Sequence, residues 1–174
     1  VGLCSRLADG AYDALLPVSA SVFWDMRIVR GSYPAEAWAD YRFAEGYAEA
    51  FGSSLRALLV ALGNRVESLW YSFEPAWNAD LCRAVRDVVE VPVFCEGGIR
   101  ERDRIDRLLG DACDAVGLGR PFYAEPRLPA RLLADADARA VCESCNNCAV
   151  PQAAGEPGVC RTPSVLQRAG TLRK

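Results

Sequence analysis

The chain has 174 residues and a net charge of −3, with just over half of its residues hydrophobic and a quarter charged. These values are ordinary for a globular domain, and they give no electrostatic reason to expect a nucleic acid or an anionic membrane as partner. Because the chain contains no histidine, a Ser-His-Asp triad, a Cys-His dyad and a His-ligated zinc site within it are excluded.

No basic and apolar leader opens the sequence, and no apolar run approaches the length needed to span a bilayer. We therefore expect a cytoplasmic protein that has no membrane partner. In a reducing compartment, eight cysteines favour metal binding or redox chemistry over disulfides.

Residues 1–65 are predicted to form a mostly helical first part of the chain. Within it, alternating apolar residues predict a strand at 15–24, whereas apolar residues recur at helical spacing over 34–62. Gly-Asn at 63–64 is expected to end this helical stretch.

Residues 66–140 alternate between strand-like and helix-like patterns. Strands are predicted at 66–73, 91–95 and 113–119, and amphipathic helices are predicted between them. Short apolar strands rich in β-branched residues are typical of parallel sheets that are buried on both faces. The alternation predicts an α/β architecture with right-handed crossovers.

Glycines stand at the ends of two of these predicted strands. Gly97 and Gly98 come after the strand at 91–95, and Gly119, which is followed by Arg120, ends the strand at 113–119. Glycine lets an anion approach backbone N–H groups closely, and arginine offers a planar donor that suits phosphate. In a (β/α)8 barrel such a phosphate site is often built from the loops after strands 7 and 8. The alternative is that the glycines only make tight turns between strand and helix.

The last part, 141–174, has no helical or strand period and carries half of the cysteines. Their spacing is C-x2-C-x2-C-x11-C, and they are Cys142, Cys145, Cys148 and Cys160. Four such thiolates suit a [4Fe–4S] cluster, a structural zinc ion takes the same ligands, and disulfides or idle thiols are the third possibility. The other cysteines are predicted to be buried structural thiols, and they are Cys4, Cys82, Cys95 and Cys113.

The stretch VPVFCEGGIRERDRIDRLLGDACDAVGLGRPFYAEPRLPARLL, followed by CESCNNC, resembles the C-terminal end of the Old yellow enzyme-like NADH:flavin oxidoreductases. The resemblance is strongest to the branch near 2,4-dienoyl-CoA reductase. It implies the C-terminal half of a (β/α)8 TIM barrel over 66–140, followed by an irregular cysteine-rich metal-binding segment over 141–174. It also implies FMN held through Gly97, Gly98, Gly119 and Arg120, and a [4Fe–4S] cluster on the four clustered cysteines that passes electrons to the flavin.

On this resemblance the chain is expected to be part of an FMN-dependent NAD(P)H oxidoreductase of the ene-reductase or dienoyl reductase type. The expected substrate is a small molecule with an activated C=C bond, and no catalytic residue is assigned, because those of the family lie upstream of the matched part. A half-barrel leaves two sheet edges unpaired, so we expect a homo-oligomer or a missing N-terminal half to close it. The alternative is a non-enzymatic remnant or module with a structural Cys4 zinc site.

Overall fold

The computed structural model of the protein describes residues 1–10, 12–19 and 26–172. Over these residues the chain forms ten α-helices, one 3-10 helix and two β-strands. They are α1 (Gly2–Ala8), α2 (Ala35–Ala39), the 3-10 helix (Tyr41–Phe43), α3 (Ala44–Phe51), α4 (Ser54–Glu67), α5 (Ala79–Arg86), β1 (Phe94–Glu96), α6 (Arg102–Asp111), β2 (Ala115–Gly117), α7 (Arg120–Ala124), α8 (Leu128–Ala134), α9 (Val150–Ala153) and α10 (Pro163–Thr171). None of the described helices is both long and apolar enough to cross a membrane.

The chain divides into two compact units, and each is assembled from three separate stretches. The first unit comprises Val1–Val22, Glu74–Leu118 and Arg127–Ala140. The second unit comprises Phe23–Phe73, Gly119–Pro126 and Val141–Lys174. The division into 1–65, 66–140 and 141–174 stays a prediction.

The first unit contains a parallel pair of strands joined through α6. Strand β1 pairs with β2 in the register Phe94 to Ala115, Cys95 to Val116 and Glu96 to Gly117. Strand β2 lies within the strand predicted at 113–119, and β1 overlaps the end of the one predicted at 91–95, so both strands are confirmed with shifted or shortened bounds. The strand predicted at 15–24 lies partly outside the described residues, and Leu15 makes an isolated parallel bridge to Val93.

The predicted half-barrel is wrong. In the described parts of the chain the sheet has two strands of three residues each, and 66–73 is not a strand. Helix α4 continues through Glu67, and the amide of Tyr71 still donates to the Glu67 carbonyl at 2.9 Å. The Gly-Asn pair does not end α4, because a glycine costs a helix only about 1 kcal/mol relative to alanine. Beyond α4, Leu69 and Trp70 are more than two-thirds exposed, so this segment lacks the buried face that a barrel strand needs.

The core of the second unit is built by α2 and α3, from the region that was predicted to be helical, and by α9. The prediction that 141–174 is irregular throughout is wrong, since α9 and α10 form there. The buried residues Phe43, Tyr47 and Val150 pack together, and Trp38 covers them from one side. The Trp38 and Tyr47 rings lie 4.9 Å apart between centroids, and the Tyr47 hydroxyl donates to the Ala37 carbonyl at 3.1 Å. This aromatic cluster fixes α2, α3 and α9 against one another.

Helix α4 buries only a narrow face of small side chains and carries a broad apolar stripe on its outer side. The stripe consists of side chains that are at least half exposed, and they are Leu55, Leu58, Leu59, Leu62 and Val66. Their spacing follows the helical repeat, so they form one continuous surface along the helix.

The start of α4 offers a test of local helix stability. The Ser53 hydroxyl caps the helix by accepting a hydrogen bond from the Arg56 amide at 3.2 Å. We expect Ser53→Ala to lower the free energy of unfolding by about 1 kcal/mol, as is typical for the loss of such a cap. Urea denaturation measures this change. The neighbouring substitution Ser54→Ala should change stability by less than about 0.5 kcal/mol, and equal effects of the two would contradict the capping role.

Candidate metal centre

The clustered cysteines lie in the second unit. Three of them lie on an irregular loop, residues 141–149, that leads into α9 and is called the cysteine loop below. The fourth lies on the segment between α9 and α10. Within the loop, Ser144 and Asn146 have φ values of +57° and +64°. This left-handed backbone is uncommon for residues other than glycine and turns the chain sharply on both sides of Cys145. The turns explain how three cysteines, each separated from the next by two residues, come to line one cavity.

All four predicted ligands surround the same small cavity, which has room for about one water molecule (about 10 Å³). The residues that line it besides the cysteines include Arg120, Asn146, Thr162 and Val165. The structure therefore brings together the set that the spacing had selected, which is Cys142, Cys145, Cys148 and Cys160.

The thiols surround this cavity without forming a coordination sphere. Across residues 1–10, 12–19 and 26–172, no group of three or more Cys, Asp or Glu side chains is arranged so that it could hold a metal ion. One thiol has a different partner, since Cys145 Sγ lies 2.9 Å from Thr162 Oγ1. The donor set fits a soft metal or a cluster, and coordination requires the thiol side chains to rearrange.

Arg120, predicted as a phosphate ligand, is engaged with the cysteine loop and with a neighbouring backbone segment. Its Nη1 donates to Asn146 Oδ1 and, at 3.2 Å, to the Val29 carbonyl, and its Nη2 donates to the Arg30 carbonyl at 3.2 Å. These acceptors all belong to the second unit. The guanidinium therefore acts as a clamp that joins the loop to residues 29–30.

The same arginine places a positive charge beside the thiols. Burial lowers the pKa of Arg120, while the charges of the nearby cysteines raise it, foremost that of Cys142. Burial in turn raises the pKa of the Cys148 thiol to about 12, although Arg120 acts against this shift. The buried thiol is therefore neutral at ordinary pH, and a bound metal would have to displace its proton.

Residues 31–32 make a second set of contacts with the cysteine loop. The Ser32 amide donates to the Ser144 carbonyl at 3.0 Å, and Asn146 Nδ2 donates to the Ser32 carbonyl at 3.1 Å. A Cβ added to Gly31 would fall inside 3.0 Å of the Ser144 carbonyl oxygen. Sequence reasoning missed these supports, because no local pattern links positions that are more than 100 residues apart.

The glycine pair at 97–98 lies in the first unit. Close packing against neighbouring residues of that unit explains why both positions need glycine. Gly97 and Gly98 have φ values of +112° and +69°. A Cβ at Gly97 would lie 2.6 Å from the Trp77 ring, and one at Gly98 would fall inside 3.0 Å of the Glu74 carbonyl oxygen. Close packing thus requires glycine at both positions whether or not a ligand binds. Their role, and that of Gly119, in phosphate binding stays a prediction.

The prediction of buried structural thiols is confirmed for Cys82, Cys95 and Cys113, which are completely buried, whereas Cys4 is half-buried. A hydrogen bond with Cys82 and burial both raise the pKa of Cys95. A neutral, inaccessible thiol such as Cys95 is chemically inert.

No family model matches the chain, and no solved structure matches it. Over 115 residues the chain is 32% identical to an N,N-dimethylglycine/sarcosine dehydrogenase from Chromohalobacter salexigens. The match covers 65% of this chain but only 16% of that protein, so the chain spans about one-sixth of the length of this curated relative. Since the relative is a dehydrogenase, the similarity is to an oxidoreductase.

Proposed function

We propose that this chain is part of a flavin-dependent oxidoreductase related to the NADH:flavin oxidoreductases, and that its cysteine loop holds a [4Fe–4S] cluster. The observation that carries the proposal is the convergence of Cys142, Cys145, Cys148 and Cys160 on one cavity. The similarity to a dehydrogenase supports an oxidoreductase as the whole protein.

When bound, an iron–sulfur cluster supplies one-electron transfer. The four cysteines would hold it as thiolates, and Arg120 would keep a positive charge against them. Asn146 connects Arg120 to the loop, while Val165 contributes an apolar wall. Supports of this kind orient the ligands and tune the centre.

The flavin and the electron donor follow from the resemblance, which implies FMN and NAD(P)H. The predicted contact of Arg120 with the flavin phosphate stays a prediction. It would have to be made beside the hydrogen bonds that the guanidinium donates to Asn146 and to two backbone carbonyls. The relative acts, by its name, on N,N-dimethylglycine and sarcosine, so an N-methylated amino acid is a second candidate source of electrons besides NAD(P)H.

The test is to measure iron, acid-labile sulfide, zinc and flavin in protein that has been purified without oxygen. We expect about four irons and four sulfides per chain and a broad absorption band near ~400 nm. Cys148→Ser should remove most of the iron, whereas the matched control Cys4→Ser should leave the metal content unchanged. Stoichiometric zinc without sulfide would overturn the cluster, and a chain that binds no metal would overturn both metal proposals.

A structural zinc site in a non-enzymatic module is the second candidate, and the size of the cavity favours it. The space between the cysteines is about that of one water molecule, and a single tetrahedral zinc ion takes four thiolates. Zinc would fix the loop, but it has no redox chemistry, so the electron-transfer role would be absent.

Thiol alkylation gives an independent prediction. In metal-loaded protein, iodoacetamide should modify Cys4 but not the four cysteines of the cavity. After chelation the half-buried Cys142, Cys145 and Cys160 should become modified, while Cys82, Cys95 and Cys113 should react only after unfolding. Mass spectrometry of the peptides reads out each site, and equal labelling of the cavity cysteines with and without metal would contradict the site.

A further inference from the structure

Helix α4 is apolar on two opposite sides. The apolar stripe occupies an arc of about 100° around the helix and is at least half exposed. Ala57 and Ala61, which α4 buries within the second unit, lie on the opposite side. A helix that is hydrophobic all round is normally buried. The stripe therefore has the character of a surface that is covered in an assembly.

The apolar surface continues for one more turn beyond α4. The Leu69 amide donates to the Val66 carbonyl at 3.1 Å, and the following amide donates to the Glu67 carbonyl at 2.9 Å. Leu69 is 77% exposed and Trp70 is 71% exposed. With the stripe they present roughly 800 Å² per chain, at about 180 Å² for a fully exposed leucine and about 250 Å² for a tryptophan. The largest apolar patch of a typical monomer is about 300–600 Å², whereas each partner in a stable complex buries about 800 Å².

The spacing of these residues fits a second helix as the partner. Intervals of four, three, four and three residues separate the members of one row, which are Leu55, Leu59, Leu62, Val66 and Leu69. This is the heptad spacing of a coiled-coil seam. The row is also nearly symmetric about Leu62, so a second copy that runs in the opposite direction presents the same row in return. A surface that matches itself in this way forms a twofold, isologous contact.

The charges of α4 agree with an antiparallel pair. Arg56 and Glu67 lie on the same side of the stripe, and Glu67 Oε2 accepts from the Met26 amide at 3.0 Å. In an antiparallel pair centred on Leu62, Arg56 comes level with Glu67 of the partner subunit, and this contact occurs twice. Arg65 lies on the other side, where its two copies are offset by about 9 Å along the axis. The positive N-terminus of each helix also lies beside the negative C-terminus of the other, which is favourable.

We propose that the apolar stripe is the interface of a homodimer in which two copies of α4 pack antiparallel about a twofold axis at Leu62. Leu55 packs on Leu69 of the partner subunit, and Leu59 packs on Val66 of the partner subunit. This dimer uses a helix face and not the sheet edges for which a homo-oligomer was expected. The inference is independent of the metal and of the oxidoreductase proposal, since no residue of the cysteine loop contributes to the interface.

Sedimentation velocity on the full chain tests the proposal over a range of concentrations from about 2 to about 500 µM. Because leucine and valine are seldom the residues that dominate binding energy, we expect a weak dimer with a Kd of about 10–100 µM. The stripe then stays exposed in dilute solution, and the mass doubles at the upper end of the range. A reducing agent prevents cross-linking through cysteines. A chain that stays monomeric over the whole range would overturn the proposal.

Substitutions locate the interface on α4. Leu62→Glu brings two carboxylates together at the twofold axis and should weaken the dimer by about tenfold or more. The matched control is Leu133→Glu in the first unit, where the leucine is 80% exposed, and dimerisation should be unchanged. Circular dichroism checks the fold of each variant, and Leu55→Glu probes the same surface if Leu62→Glu does not fold. Equal affinities of wild type and a folded stripe variant would refute the interface.

A double variant tests the orientation of the two helices. In the antiparallel dimer, Leu55→Glu places a carboxylate against Leu69 of the partner subunit at both ends of the interface. Adding Leu69→Lys places an ammonium group at that contact, so the double variant should dimerise about threefold or more tightly than Leu55→Glu alone. If the second substitution weakens the dimer further, the helices do not pair in the proposed register and the proposal is wrong.

Discussion

Gly31→Ala is expected to lower the free energy of unfolding by about 3 kcal/mol or more, the upper part of the range for overpacking. The added Cβ would fall inside 3.0 Å of the Ser144 carbonyl oxygen and 3.1 Å from Asn146 Nδ2. Neither segment can move away easily, because the Ser32 amide donates to that same carbonyl at 3.0 Å. We expect the cysteine loop to detach and metal retention to fall with the stability.

The matched control for this substitution is Gly63→Ala. Gly63 lies within α4, and a Cβ there would have nothing within 4 Å. Alanine should therefore stabilise the helix by about 0.5–1 kcal/mol. Chemical denaturation of the two variants beside the wild type measures both changes. Equal stabilities would show that the segment at Gly31 does not pack on the loop as described.

Arg120→Met is expected to destabilise the protein, because each acceptor that is left buried without a donor costs about 1–3 kcal/mol. The substitution removes the donors to the carbonyls of Val29 and Arg30 and to Asn146 Oδ1. It also removes the positive charge beside the thiols. Metal retention should fall together with stability, and Arg120→Lys should recover part of both.

The two roles considered for Arg120 predict different results. If the arginine clamps the loop, Arg120→Met changes stability and metal content even in flavin-free protein. If it binds a flavin phosphate, the same variant loses flavin while keeping its stability and its metal. Denaturation and metal analysis distinguish these outcomes. Arg127→Met, at an exposed position, is the control and should shift stability by less than about 0.5 kcal/mol.

Local features of this fold could be predicted where a short pattern determines the structure. The strands near 91–95 and 113–119 occur because apolar, β-branched runs are bounded by helix-breaking residues. The cysteines could be grouped by spacing alone, and their convergence on one cavity agrees with that grouping.

The other features of the fold and of the candidate metal centre depend on contacts between distant residues, which leave no local signal in the sequence. Aromatic richness suggested a strand at 66–73, but α4 extends through Glu67 since nothing near Gly63 opposes the helix. Arg120 follows a glycine as a phosphate ligand would, yet its partners are Val29, Arg30 and Asn146. The local sequence pattern around Arg120 includes only its neighbours along the chain. The hydrogen-bond partners of Arg120 in the fold are distant in sequence, so that pattern could not predict them.

The apolar stripe on α4 has a practical consequence for handling this protein. Hydrophobic dyes such as ANS fluoresce on exposed apolar surface, and such a signal is commonly taken as a mark of a molten globule. With Leu58, Leu59 and Leu62 each at least half exposed in the folded chain, the native protein should itself bind the dye. Dye-based thermal shift curves will therefore start from a high baseline, and melting should be followed by calorimetry or circular dichroism instead.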